Sequence, residues 1–431
     1  MTEFVAGEPG FESSPHGPPS VDDGGDVARA PAQQPGADLD DPSSEPSAAD
    51  VPVRGHVATA EEFEDWDSHA VASLNGHVFQ SRAWADFRAT QGGQAWHIAF
   101  DDGFRLLALG RPGNAAAYAS RGPVPEADPA RTAARAAVAA ELLAAEGVPA
   151  LTVDGETPAA SGLAPHLAAA GFARVDEEQP SRHRMDVRLG PADAPNSDEK
   201  TIFNSFGSQT RHLIRQADRH GLKVARLDAG GGRIEDDDAA TELEEFERVD
   251  PADPAAAEEM IRRVYGMLDP SVHRRSAALA SEEAFLDWSR RGIAAGHVLY
   301  LQAQHPEDGP IAAVGFYRHG HRLTFSLVGA RPELRRKYPG SVRLLVWRGI
   351  QIALDERRST VDLGGVDTAA LRRPPDKGDP TYGAFQFRES FGARWVELTG
   401  AHRKTMHPLR NNVGRVAAAA LRRLGRLTPG R

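Results

Sequence analysis

Large apolar side chains are sparse over the first fifty positions and recur with clear periods from Val53 onward. A 3.6-residue spacing over 60–74, with Phe63, Trp66 and Ala70 on one face, predicts a helix. Short apolar runs predict strands over 96–100, 104–109 and 115–119. A Pro-initiated helix over 129–145, stopped by Gly147, leads to a strand over 150–154. A helix over 162–170 and a strand over 182–189 follow, and the polar, Pro-containing stretch 190–199 reads as a junction. Beyond it a helix ends at Gly221, a strand covers 222–227, and helices cover 254–268 and 281–292. Strands over 297–303, 311–318 and 322–328 come next, the last two joined by a tight turn at His319-Gly320. A helix over 341–355, a strand over 360–363, a helix over 383–390 and a strand over 394–398 complete the pattern. Alternating helices and strands predict a mixed α/β architecture.

The two halves repeat one motif. Leu151-Thr152-Val153-Asp154-Gly155, a helix, then Gly171-Phe172-Ala173-Arg174 is matched by Thr360-Val361-Asp362-Leu363-Gly364-Gly365, a helix, then Phe391-Gly392-Ala393-Arg394. A duplicated unit explains this order, as does coincidence in a chain rich in Ala, Gly and Arg. The boundaries expected are a leader over 1–52, subdomains over 53–192 and 193–400, and a basic helix over 401–431 packing back on the first subdomain.

Composition adds a charge asymmetry. Residues 1–50 hold eleven Asp/Glu, one Arg and fourteen Gly plus Pro, a disordered acidic leader on composition. Residues 401–431 hold eight Lys/Arg and no acid within a chain of net charge −11. That tail suits an anionic partner, RNA or a membrane surface, or docking of its stripe Leu409, Val413, Val416 and Leu424 on the fold. The absence of cysteine excludes disulfides, thiolate metal sites and a cysteine nucleophile. With no apolar run of about 20 residues and no basic secretory n-region, a cytoplasmic protein is expected.

Three stretches carry candidate chemistry. Arg211, Arg215 and Arg219 recur every fourth residue, a cationic ridge suited to phosphate and equally a solvated helix face. Asp362 closes a strand before Gly364 and Gly365, where a backbone can approach a ligand or simply turn. Phe387-Arg388 can stack on a nucleobase and pair with phosphate, or pack in a core. The histidines show no metal-ligand spacing, and neither a Walker A loop nor a G-x-S-x-G elbow is present.

These stretches resemble the FemABX family of tRNA-dependent aminoacyltransferases, which build peptidoglycan interpeptide bridges. The resemblance rests on Arg211-x-x-Ile214-Arg215-x-Ala217-x-x-x-Gly221-x-x-Val224, Phe79-Gln80-Ser81-x-x-Trp84-Ala85 and Ser120-Arg121-Gly122-Pro123-Val124. Asp362-x-Gly364-Gly365-Val366 and Phe387-Arg388-x-x-Phe391-Gly392 complete it, spanning about residues 55–420. It implies two N-acetyltransferase-like (GNAT-type) subdomains. It implies transfer of an amino acid from aminoacyl-tRNA, the co-substrate in place of any cofactor, to a stem-peptide amine on lipid II or UDP-MurNAc-pentapeptide. No stable DNA binding and no metal are implied; peripheral contact with the inner membrane surface is. The family's Phe-Lys pair falls on Phe387 and Arg388, where lysine would be expected to substitute for arginine, with Asp362 beside them. Its precursor-binding lysine falls on Arg88. Arg211, Arg215, Gly364, Gly365 and Tyr338 are the remaining substrate-binding candidates. Small-molecule amide synthesis and acyl-CoA-dependent N-acyl transfer are the alternatives.

Overall fold

The computed structural model describes residues 52–111, 114–176, 183–190, 198–230, 246–268, 281–366 and 373–408. The strands are β1 (Gly55–Val57), β2 (Gln94–Phe100), β3 (Arg105–Arg111), β4 (Asn114–Ser120), β5 (Ala150–Asp154), β6 (Ala173–Arg174), β7 (His183–Arg188) and β8 (Lys223–Leu227). They continue with β9 (Phe246–Val249), β10 (Val298–His305), β11 (Gly309–His319), β12 (Arg322–Ala330), β13 (Thr360–Asp362), β14 (Arg394–Glu397) and β15 (His402–Thr405). The first seven helices are α1 (Ala60–Glu64), α2 (Trp66–Ala70), α3 (Arg82–Thr90), α4 (Pro129–Ala145), α5 (Leu163–Ala169), α6 (Glu199–Ser205) and α7 (Ser208–Arg219). The rest are α8 (Pro254–Met267), α9 (Glu282–Ala294), α10 (Pro332–Lys337), α11 (Ser341–Asp355) and α12 (Tyr382–Glu389).

The strands form two sheets, in the orders β1-β2-β3-β4-β5-β15-β6 and β14-β7-β13-β12-β11-β10-β8-β9. Each has an antiparallel run (β2-β3-β4; β10-β11-β12) followed by a parallel neighbour reached through a long helix: β4 to β5 through α4, β12 to β13 through α11. The sequence repeat is therefore a repeat of topology. The halves also exchange a strand. β7 leaves the first half and enters the second sheet between β13 and β14, while β15 returns from the second half and enters the first sheet between β5 and β6. The expected subdomain ranges 53–192 and 193–400 thus each end near a strand whose hydrogen bonds lie in the other sheet, pairing that a linear reading cannot show.

A common core joins the halves. Trp84 on α3 meets Trp288 on α9 edge to face, their centroids 4.9 Å apart, and Phe79 and Phe87 pack in the same cluster as Phe285, Tyr300 and Tyr317. Truncating such buried aromatics costs about 3–5 kcal/mol each. The helix expected over 60–74 is two helices, because Asp65 ends α1 and starts α2. Likewise Phe206, in extended conformation, and Gly207 divide α6 from α7. The basic helix expected over 401–431 begins instead as strand β15, His402–Thr405, because those residues pair with β5 and β6. Its remainder 409–431, including the apolar stripe, and the acidic leader up to residue 51 lie outside the described residues.

Candidate functional site

The chain leaves the second sheet at the end of β13, where Asp362 is fully buried. Its Oδ1 accepts the Gly364 amide at 2.8 Å, and Gly364 takes the left-handed conformation (φ 74°) that closes this turn. From α12, Arg388 reaches the same turn with 1% of its surface exposed. Its Nε donates to the carbonyls of Leu363 (2.9 Å) and Gly364 (3.1 Å), and its Nη2 to that of Gly365 (3.0 Å). Nη1 bonds the carbonyl of Ala384 on α12 itself at 2.6 Å. From β7, His183 stacks on Trp395 (3.5 Å, 11°) and accepts the Val366 amide on Nε2 at 2.9 Å. Burial, reinforced by the Arg388 charge, pushes its imidazole down to about 3, so the ring is neutral at physiological pH and Nδ1 carries its proton. Three elements therefore hold one glycine-containing turn.

The opposite face of β13 is polar and lies against the first half. Thr324, Asp362 and Asp186 stand in register across β12, β13 and β7. Arg184 donates to Asp186 (2.9 Å) and to the Glu156 carbonyl (3.1 Å), crossing between the halves. The Glu156 carboxylate faces Arg322 at 2.6 Å and Arg121 at 3.4 Å. Burial pushes that carboxyl up, but the Arg322 and Arg121 guanidiniums outweigh it and hold Glu156 well below the ordinary range. His77 and His319 stack tilted beside it, 4.3 Å apart. Burial depresses both imidazoles, His77 to about 3. His319 donates to the Gly76 carbonyl from Nδ1, leaving Nε2 to accept from Thr324. This seam is an ionic joint with every histidine neutral.

Asp362, Gly364, Gly365 and Arg388 are thus brought together. Phe387 is adjacent in sequence but is 6% exposed, packed on Phe391 and under the Arg343 guanidinium, 4.9 Å from its ring. The core-packing alternative, rather than an open stacking face, describes Phe387 here. Tyr338 donates its hydroxyl to Asp308, which also holds Lys337, and its ring stacks on His305. It belongs to the β10–β11 turn rather than to the β13 turn. Arg88 lies on α3 with its guanidinium 5.6 Å from the Trp84 ring. Within the ridge, Arg211 caps the carbonyl ends of α6 at Asn204 and Phe206, while Arg215 lies 5.2 Å from the Phe203 ring and, like Arg219, remains exposed. Sequence reasoning missed His183, Arg184, Glu156, His77 and His319. The alternation over 182–189 predicted a strand, but the strands flanking it come from residues 360–362 and 394–397. Among the described residues no group of three His, Asp or Glu side chains is placed to hold a metal ion, and no helix is long and apolar enough to cross a membrane.

Residues 208–377 match the acetyltransferase (GNAT) domain family. The structure is similar to that of FemX with a TM-score of 0.63 and 16% identity, over 84% of this chain and 100% of FemX. Lower similarity, TM-score 0.48 at 12% identity, links 84% of the chain to 97% of the C-terminal domain of a putative lysylphosphatidylglycerol synthetase from Agrobacterium fabrum. A tandem GNAT protein from the clavulanic acid biosynthesis pathway follows at 0.42 and 14% identity, over 82% of this chain and 98% of that one. No curated protein matches the chain in sequence. With residues 208–377 a GNAT-type domain and the exchange of β7 and β15 tying it to a second unit of like topology, the protein has a FemX-like fold.

Proposed function

We propose that this protein is a FemX-type acyltransferase that moves an amino acid from aminoacyl-tRNA to the side-chain amine of a peptidoglycan stem peptide, on lipid II or its nucleotide-linked precursor. The observation that carries this reading is the FemX-like fold, which spans all of FemX and gathers Asp362, Gly364, Gly365 and Arg388 at one strand end. The chemistry suits a site without a nucleophilic side chain. A neutral amine attacks the ester carbonyl, the new C–N bond forms as the C–O bond to the ribose breaks, and the amine's proton leaves with the tRNA hydroxyl. Orientation and stabilisation of the carbonyl oxygen are what the protein has to supply. Aminoacyl-tRNA is then co-substrate, the exposed Arg215 and Arg219 offer phosphate contacts, and the work is done in the cytoplasm at the inner membrane face. The experiment is mass spectrometry of UDP-MurNAc-pentapeptide and a lipid II analogue after incubation with protein and aminoacylated tRNA, with acetyl-CoA in parallel. An aminoacyl mass increment dependent on charged tRNA supports the reading. An acetyl increment from acetyl-CoA alone favours the second reading, an acyl-CoA-dependent N-acyltransferase, to which the GNAT match over 208–377 points.

A further inference from the structure

The guanidinium of Arg388 is directed at the backbone: its Nε–H is shared between the carbonyls of Leu363 and Gly364, its Nη2 meets that of Gly365, and its Nη1 meets that of Ala384. A carbonyl face drawn to one side turns the amides of the same segment away from it. Of those amides, Gly364's goes to Asp362 and Val366's to His183. The Gly365 amide meets no acceptor among the described residues, although Gly365 is buried. Buried backbone N–H groups are almost always paired, so an orphan donor marks a place where a partner belongs. An acyl carbonyl oxygen gaining negative charge is the partner whose chemistry fits a rigid amide donor.

We infer that Arg388 and His183 are positioning residues: they fix the turn after β13 so that the Gly365 amide donates to the carbonyl oxygen of the acyl group under attack. This rests on the proposed acyl transfer. It changes what Arg388 is for. If Arg388 itself touched a tRNA phosphate or the oxyanion, a lysine would serve, since a point cation suffices. Bridging three successive carbonyls from separate nitrogens of one rigid group needs the planar fork, which an ammonium cannot reproduce.

The test uses the full chain with aminoacylated tRNA and UDP-MurNAc-pentapeptide, comparing Arg388→Lys, Arg388→Ala, His183→Gln and His183→Ala. Arg388→Lys is expected to fall in kcat about as far as Arg388→Ala, roughly 100-fold, the size of losing one oxyanion donor, with KM for the tRNA changed less than about threefold. His183→Gln, whose side-chain carbonyl can still accept the Val366 amide, should retain most of the activity that His183→Ala loses. Amide hydrogen exchange of the 363–366 segment, measured without substrates, should be faster in Arg388→Lys and His183→Ala than in the parent. Parent-like kcat in Arg388→Lys, or a loss confined to KM, overturns the inference. So does parent-like exchange of the segment in both variants, a result readable even if the parent transfers no amino acid and the proposed function itself fails.

Discussion

His183 is buried against the Trp395 ring and feels the charge of Arg388, so a proton added to it would be both desolvated and repelled. Its pKa of about 3 in the folded protein compares with about 6.5 in an unfolded chain. Protonation therefore favours the unfolded state. The stabilisation from the neutral ring is complete above about pH 6.5 and is lost as pH falls towards 3, at up to about 1.4 kcal/mol per pH unit. His77, also depressed to about 3, adds a second contribution of the same sign. Thermal melting between pH 7.5 and 5 should show a marked fall for the parent and a shallower one for His183→Gln; equal slopes would contradict this assignment. At this scale the sequence exposed part of the candidate site. Asp362, Gly364, Gly365 and Arg388 announced themselves through residue type and spacing, although what Arg388 holds is backbone. His183 carried no signal, because its role depends on the Val366 amide 183 residues later.

The helix pair α6–α7 shows how an element redirects residues that look alike. Arg211, Arg215 and Arg219 are equivalent in the sequence pattern, yet Arg211 bonds the α6 carbonyls while Arg215 and Arg219 stay exposed. Arg211→Ala should cost about 1–2 kcal/mol of stability, read from denaturant unfolding, through the loss of charged hydrogen bonds to those carbonyls. Arg215→Glu should leave stability near the parent's and weaken tRNA binding, lowering the slope of log K against log salt by about one. An unchanged slope would return the ridge to a plain solvated face. On α11, Gly349 faces Phe316, whose Cζ would lie 2.3 Å from an added Cβ. Gly349→Ala should thus destabilise by about 1–3 kcal/mol despite its better helix propensity. Long periodic elements such as α4 and α11 were readable to the residue. Short ones such as β1, β9 and β15 were not, since a three- or four-residue strand is defined by its partner rather than by its own pattern.

Across the whole molecule, the reciprocal insertion of β7 and β15 and the Glu156 joint make each half depend on the other. Glu156→Gln would leave Arg322 and Arg121 facing a neutral amide in a buried seam, a loss of about 3–5 kcal/mol. Unfolding should stay a single transition in both proteins, since neither sheet is complete without the other half's strand. Two resolved transitions in calorimetry would show that the halves fold independently. The duplication was visible in the sequence through the strand, acidic turn and Gly-aromatic repeat. The strand exchange was not, because it leaves composition and periodicity unchanged. The acyl donor separates the aminoacyl reading from acyl-CoA chemistry. The most direct measurement is the mass of UDP-MurNAc-pentapeptide after incubation with the full-length protein and a complete set of aminoacylated tRNAs. The account predicts one added amino-acid residue on the stem-peptide side chain, abolished by prior deacylation of the tRNA; an acceptor of unchanged mass with every charged tRNA, alongside acylation from acetyl-CoA, would contradict it.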